Sequence, residues 1–138
     1  VDIYPTLCDA CNLPKPDFLE GTSMVPLIEN PDRPWKQAVF AHRKHMWHDR
    51  IQAYAVANTV RTQTQRLTIY LDERGNEIYV ELFDYAHDPC GHDLCGHSPC
   101  GQDPLETTNV ANDRNYDTVM REMRSLLHAG WQACVPDT

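Results

Sequence analysis

Positive charge is scarce in this chain. Over 138 residues, 12 Lys and Arg stand against 20 Asp and Glu, for a formal net charge of −8. An acidic chain without a basic run is a poor partner for nucleic acid or an anionic membrane surface. Long apolar runs are also missing. No window approaches the roughly 18 apolar residues of a membrane-spanning helix. There is no Asn-x-Ser/Thr sequon, so N-glycosylation is not expected. An initiator Met and a signal peptide are lacking too: the chain opens Val1-Asp2-Ile3-Tyr4-Pro5. The expectation is that a leader was removed or that this is the C-terminal part of something longer. Aromatics are not short, with three Trp, six Tyr and three Phe, which argues against disorder. Six cysteines in so short a chain favour disulfides and an oxidising compartment, with metal binding as the alternative.

Residues 2–12 read as a short helix that Asp2 can cap and whose first turn tolerates Pro5, with Ile3, Leu7 and Cys11 on one face. Pro14, Pro16 and Gly21 mark residues 13–23 as a loop. Ala38–Ala41 and Ala53–Arg61 read as strands. Arg66–Leu71 and Glu77–Phe83 alternate with period two, and Gly75 in the five-residue loop between them makes a hairpin. From about Asp113 to His128 the stripe Tyr116, Val119, Met120, Met123 and Leu127 predicts a helix stopped at Gly130. The fold class is α+β: a small antiparallel sheet of about four strands with a C-terminal helix packed on it.

Two clusters carry chemistry. Residues 90–104 repeat with period five, starting at Cys90, Cys95 and Cys100. C-x4-C-x4-C does not match the usual spacing of structural zinc ligands, so a loop closed by disulfides competes with metal and with unpaired thiols. Cys8, Cys11 and Cys134 complete the disulfide candidates, and three cysteines inside the repeat against three outside require a bond between the groups if all are paired. Cys8-x-x-Cys11 could also be a redox pair, although no thioredoxin-like pattern surrounds it. The second cluster is His42, His45 and His48, interleaved with Arg43, Lys44 and Arg50. On a helix the histidines would share a face and could hold a metal. The neighbouring cations favour an anion instead, and a solvated loop after a strand is the plainer reading.

Taken in order, the motifs resemble the sulfatase family of the alkaline-phosphatase-like superfamily, most closely its iduronate-2-sulfatase-like branch. Val1-Asp2-Ile3-Tyr4-Pro5-Thr6-Leu7 and Leu19-Glu20-Gly21-Thr22-Ser23-Met24-Val25-Pro26-Leu27 are similar to V-D-I-Y-P-T-L and L-E-G-x-S-x-x-P-L. Asp32-Arg33-Pro34-Trp35-Lys36 and Ala38-Val39-Phe40 continue the likeness. Val60-Arg61-Thr62 with Arg66 and Thr68 resembles I-R-T-x-x-x-R-x-T, and Glu81-Leu82-Phe83-Asp84, Asp88-Pro89 and Asn109-Val110-Ala111 resemble E-L-Y-D, D-P and N-L-A. Asp88-Pro89 recurs as Asp103-Pro104, so residues 88–102 read as an insert of three pentads.

The resemblance implies that residues 1–138 are the C-terminal subdomain, or a separate small chain, of a sulfatase built on a larger α/β fold. Such an enzyme hydrolyses sulfate esters with a formylglycine nucleophile, made from the Cys or Ser of C-x-P-x-R, and a calcium ion. Both are expected in the N-terminal part and neither in this chain, because Cys134-Val135-Pro136 lacks the Arg, Thr138 standing in its place. The implied partners are the N-terminal catalytic subdomain or large chain and a sulfated glycan, in a secreted, extracellular or lysosomal setting. His42, Arg43, His45 and Arg61 are the candidate substrate contacts, although the place of Arg61 in a predicted strand favours a buried arginine paired to a carboxylate over a substrate contact. The family's S-Q-Y after the strand and G-Y-S before I-R-T are replaced by Ala41-His42-Arg43 and Ala57-Asn58-Thr59. That departure leaves room for an altered glycan or for a non-catalytic, sulfatase-like structural or glycan-binding protein. A free-standing cysteine and histidine metal domain is a weaker alternative.

Overall fold

Residues 1–49, 51–85 and 106–136 are described by a computed structural model, with His45 and Met46 described by their backbone alone. Residues 88–102, including Cys90, Cys95 and Cys100, lie outside the described residues. The described chain forms two compact units, one of residues 1–36 with the residues from Val135 onward, the other of residues 37–134.

The smaller unit holds α1 (Ile3–Ala10) and α2 (Val25–Glu29). Asp2 stands at the start of α1, but its carboxylate makes no capping bond. It accepts from the Thr22 amide at 2.8 Å and from Lys36 Nζ at 2.7 Å. Thr6 Oγ1 donates to Asp2 O and accepts from the Met24 amide, so the loop is tied to α1 at two points. Gly21 makes the closest approach: a Cβ there would lie 2.2 Å from the Val1 carbonyl oxygen. Ile3, Leu7 and Cys11, expected as an apolar face, are exposed, and Pro5 and Cys8 are buried instead.

The larger unit is an antiparallel meander of β1 (Val39–His48), β2 (Ala53–Arg61), β3 (Gln65–Leu71) and β4 (Glu77–Asp84), in that order across the sheet. A turn at Arg114–Tyr116 leads into α3 (Asp117–Ala129). Asp113 caps the turn by accepting from the Asn115 amide at 2.9 Å, and Gly130 ends α3 with φ +77°, a left-handed conformation suited to glycine. The expected stripe of α3 lies over Val60, Leu67, Ile69 and Leu82. Val60, Leu67 and Leu82 are fully buried, each contributing roughly 1.5–3 kcal/mol of apolar transfer. The α+β reading of the sequence describes this unit.

β1 runs through the histidine cluster, where a helix or a loop was expected. Its register shifts between Arg43, opposite Ala57, and Met46, opposite Ala55, so one extra residue bulges there. As an edge strand, β1 can carry charged side chains that a central strand could not. The opposite edge is partly covered. Asn109 Oδ1 accepts from the Leu82 amide at 3.0 Å, its Nδ2 donates to Val80 O at 2.9 Å, and the Val110 amide donates to Leu82 O.

Candidate functional site

Strand alternation sorts the predicted site residues onto two faces. Asn58 and Val60 of β2 lie on the side covered by α3, so His42, opposite Asn58, lies there too. Arg43, opposite Ala57, and Arg61, opposite Val39, project from the other, open side. The bulge then moves His48 onto that open side. His42 and His48 therefore lie on opposite faces, and His42 does not converge with Arg43 and Arg61 on one pocket. His45 occupies β1, and its side chain lies outside the description.

On the helix side, His42, Asn58, Leu71, Arg124, His128 and Trp131 line part of a groove of about 630 Å³. Asn58 Oδ1, which can only accept, lies 2.6 Å from His42 Nδ1, so Nδ1 donates and Nε2 is left as an acceptor. Arg124 grips Glu77 with both terminal nitrogens, at 2.7 and 2.8 Å. That hydrogen bond, with the arginine's charge, holds the Glu77 carboxyl below its ordinary range against the opposing effect of burial. Farther out, Trp47 and Tyr54 form an edge-to-face pair with centroids 5.3 Å apart and remain 47% and 59% exposed.

The open side carries a polar network that sequence reasoning missed. Arg66 pairs with Glu106 through two nitrogens, Nε to Oε1 at 2.9 Å and Nη2 to Oε2. Tyr85 donates to the same carboxylate. Arg66 Nη1 donates to Thr68 Oγ1 at 3.0 Å, and Thr68 bonds Thr59 across the strands at 2.9 Å. Burial pushes the Glu106 carboxyl up, but Tyr85 and Arg66 together hold it below its ordinary value. The paired arginine is thus Arg66. Arg61 is exposed and lies over the Tyr85 ring at 4.8 Å, which corrects the alternative of a buried Arg61 bound to a carboxylate. The resemblance singles out Arg66, and its carboxylate partner lies forty residues on, just before Asn109-Val110-Ala111.

His48 is buried among Tyr70 and Tyr79. Its Nε2 lies 3.8 Å from Glu81 Oε1, beyond hydrogen-bond reach. Glu81 instead accepts from Tyr70 at 2.8 Å, and burial followed by this carboxylate pushes the Tyr70 phenol well up. Cys8, Cys11 and Cys134 are free thiols. Among the described residues no group of three or more His, Cys, Asp or Glu is placed to hold a metal ion. No helix of the described residues is long and apolar enough to cross a membrane.

No family model matches the chain. Among curated proteins it is 28% identical over 126 residues to an arylsulfatase of Clostridium perfringens, across 91% of this chain and 21% of that protein. The chain therefore spans about a fifth of the length of this relative. Two solved structures share the fold. One, described in complex with its substrate D-glucosamine-2-N,6-O-disulfate, has a TM-score of 0.68 at 21% identity, over 93% of this chain and 22% of that one. The other comes from work on glycosaminoglycan metabolism by Bacteroides thetaiotaomicron and has a TM-score of 0.55 at 20% identity, over 99% of this chain and 29% of that one. The sequence likeness to an arylsulfatase, carried on this shared fold, supports a region of the sulfatase family, and it does not single out the iduronate-2-sulfatase-like branch.

Proposed function

We propose that residues 1–138 form the C-terminal subdomain, or a small chain, of a sulfatase that hydrolyses sulfate esters of a sulfated carbohydrate. The observation that carries this reading is the likeness to an arylsulfatase across 91% of the chain. The shared fold with a protein whose described substrate is a glucosamine disulfate supports the carbohydrate part. The subdomain completes the enzyme's fold and lends residues to its substrate pocket. Calcium and formylglycine belong to the remainder of such an enzyme. The setting is secreted, extracellular or lysosomal.

Arg43 and Arg61 are kept as pocket contributors, because both are exposed on one side of the sheet and neither forms an ion pair among the described residues. An unpaired guanidinium can give two parallel N–H bonds to a sulfate oxygen pair. Arg66 on β3, opposite Arg61, and Glu106 fasten the segment after residue 105 beside Arg61.

The test is release of inorganic sulfate by the intact protein from an aryl sulfate and from a 6-O-sulfated glucosamine. Release from both is expected. Arg61→Ala should lower kcat/KM for the sugar by about tenfold, or roughly 1.4 kcal/mol of transition-state binding. Absence of sulfate release from either substrate would turn the reading to a non-catalytic sulfatase-like protein.

A further inference from the structure

We propose that the groove between α3 and the β1–β2 hairpin, extended by Trp47 and Tyr54, binds a sulfated oligosaccharide along the helix-bearing side of the sheet. The inference rests on the sulfated-carbohydrate reading above and adds a binding surface to it, on the side of the sheet away from Arg43 and Arg61.

Placement comes first. Tyr54, Asn58 and Val60 alternate onto one side of β2, and Val60 packs under α3. Tyr54 and its partner Trp47 therefore continue the strip that starts at Asn58 and His42. Four residue steps of strand lead from Tyr54 to Asn58, or about 13 Å. A ligand that touches both ends is longer than a single sugar ring.

The chemistry of the strip is that of a sugar site. An exposed indole and phenol at one end and Trp131 in the groove offer aromatic faces whose negative quadrupole attracts the C–H face of a pyranose. Between them, His42 Nε2 and the Asn58 amide offer the mixed acceptors and donors that hydroxyl groups need. Glu77 is the carboxylate among the groove's lining residues, and Arg124 already neutralises it with two bonds. In a chain of net charge −8, the groove thus presents no unpaired carboxylate to a sulfate, while the outer N–H groups of Arg124 and the ring N–H of His128 can donate to one.

The test is calorimetric titration of the intact protein with a heparin-derived hexasaccharide and with its desulfated counterpart. An aryl sulfate assay and size-exclusion chromatography run alongside. The parent should bind the sulfated hexasaccharide at least about tenfold more tightly than the desulfated one. Trp131→Ala and the double change Trp47→Ala with Tyr54→Ala should each weaken binding by about tenfold, as aromatic anchors do. The exposed His42→Ala should weaken it by a smaller factor, and Phe18→Ala, an exposed residue of the other unit, should leave it unchanged. Aryl sulfate turnover should persist in Trp131→Ala, in the Trp47/Tyr54 variant and in Phe18→Ala. Parent-like affinity in His42→Ala and in the Trp47/Tyr54 variant, each with a parent-like circular dichroism spectrum, would overturn the inference. So would a change of assembly size in the groove variants, which would make the strip a protein interface. Aryl sulfate turnover without hexasaccharide binding overturns the groove alone. Binding without turnover supports the groove and overturns the catalytic reading.

Discussion

Arg66 and Glu106, forty residues apart, form a two-point guanidinium–carboxylate pair that fastens the segment after residue 105 to strand β3. The pair is part-buried, with side chains 19% and 29% exposed, and Glu106 keeps a positive φ of 54° while making it. A non-glycine residue in that region is held there by its surroundings, and here the holding groups are Arg66 and Tyr85. Arg66→Lys keeps the charge and loses the fork geometry. It should cost about 1–2 kcal/mol in urea unfolding. Glu106→Gln leaves a half-buried guanidinium short of a counter-charge and should cost about 2–3 kcal/mol. A lower midpoint with an unchanged slope is the expected signature.

Asn109 does for β4 what a neighbouring strand would do. Its carboxamide satisfies the Leu82 amide and the Val80 carbonyl, and its Oδ1 also accepts from the Ala111 amide at 3.0 Å. Asn109→Ala strips three bonds from part-buried backbone groups and should cost about 2–3 kcal/mol. Asn109→Asp retains both acceptor bonds but sets a carboxylate against the Val80 carbonyl, and should rank between the parent and the alanine variant. Hydrogen exchange at the Leu82 amide reads this directly, because that proton should lose protection in Asn109→Ala before the rest of β4 does.

Gly21 approaches the Val1 backbone more closely than any side chain permits. A Cβ would stand 2.2 Å from the Val1 carbonyl oxygen and 2.6 Å from its carbon, both backbone atoms with no rotamer to change. Gly21→Ala should therefore displace the first residues and weaken the bonds from the Thr22 amide and Lys36 to Asp2. The expected cost of about 1–3 kcal/mol is local, as for other overpacked sites. Limited proteolysis should cut residues 1–36 faster, while the sheet and α3 keep their thermal transition.

The period-two alternation of β3 and β4 and the 3.6-residue stripe of α3 were legible because each element turns its aliphatic face to one core, although β3 also buries Thr68 and Tyr70 on its other face. Leu67 and Leu82 on one side, and Met123 on the other, meet in a single core. β1 was not legible beyond Ala41, because His42, Arg43 and Lys44 have no apolar alternation. An edge strand needs none, and the bulge breaks what period there is. The site was harder still. Its residues lie on opposite faces of one sheet, and facing depends on register, which composition does not specify. The Arg66–Glu106 pair joins positions forty apart, and no local pattern announces it. Asp2 looked like a helix cap from its position, yet its carboxylate is taken by Thr22 and Lys36, partners 20 and 34 residues away.

Acid should destabilise the fold through carboxyls that it holds below their ordinary values, and Glu77, Asp2 and Glu106 are the ones among them that are partly buried. In Glu77 the Arg124 hydrogen bond outweighs burial. In Asp2 and Glu106 burial is the largest single effect and pushes upward, but the hydrogen bonds and charges of Lys36 and Thr22, or of Tyr85, Arg66 and Arg61, together exceed it. A carboxyl with a folded value below its unfolded one stabilises the fold fully above the unfolded value and ceases to as pH falls through the folded one. With unfolded values near 4.5 for the two glutamates and 3.8 for Asp2, urea stability should be flat above about pH 5.5 and decline below about pH 4.5. Glu77 is more exposed than the others, so salt should screen its part and leave more of the Glu106 part. In Glu106→Gln the acid decline should be shallower, because the variant has already lost that contribution at neutral pH. A decline as steep as the parent's in that variant would mean that Glu106 carries none of the acid sensitivity.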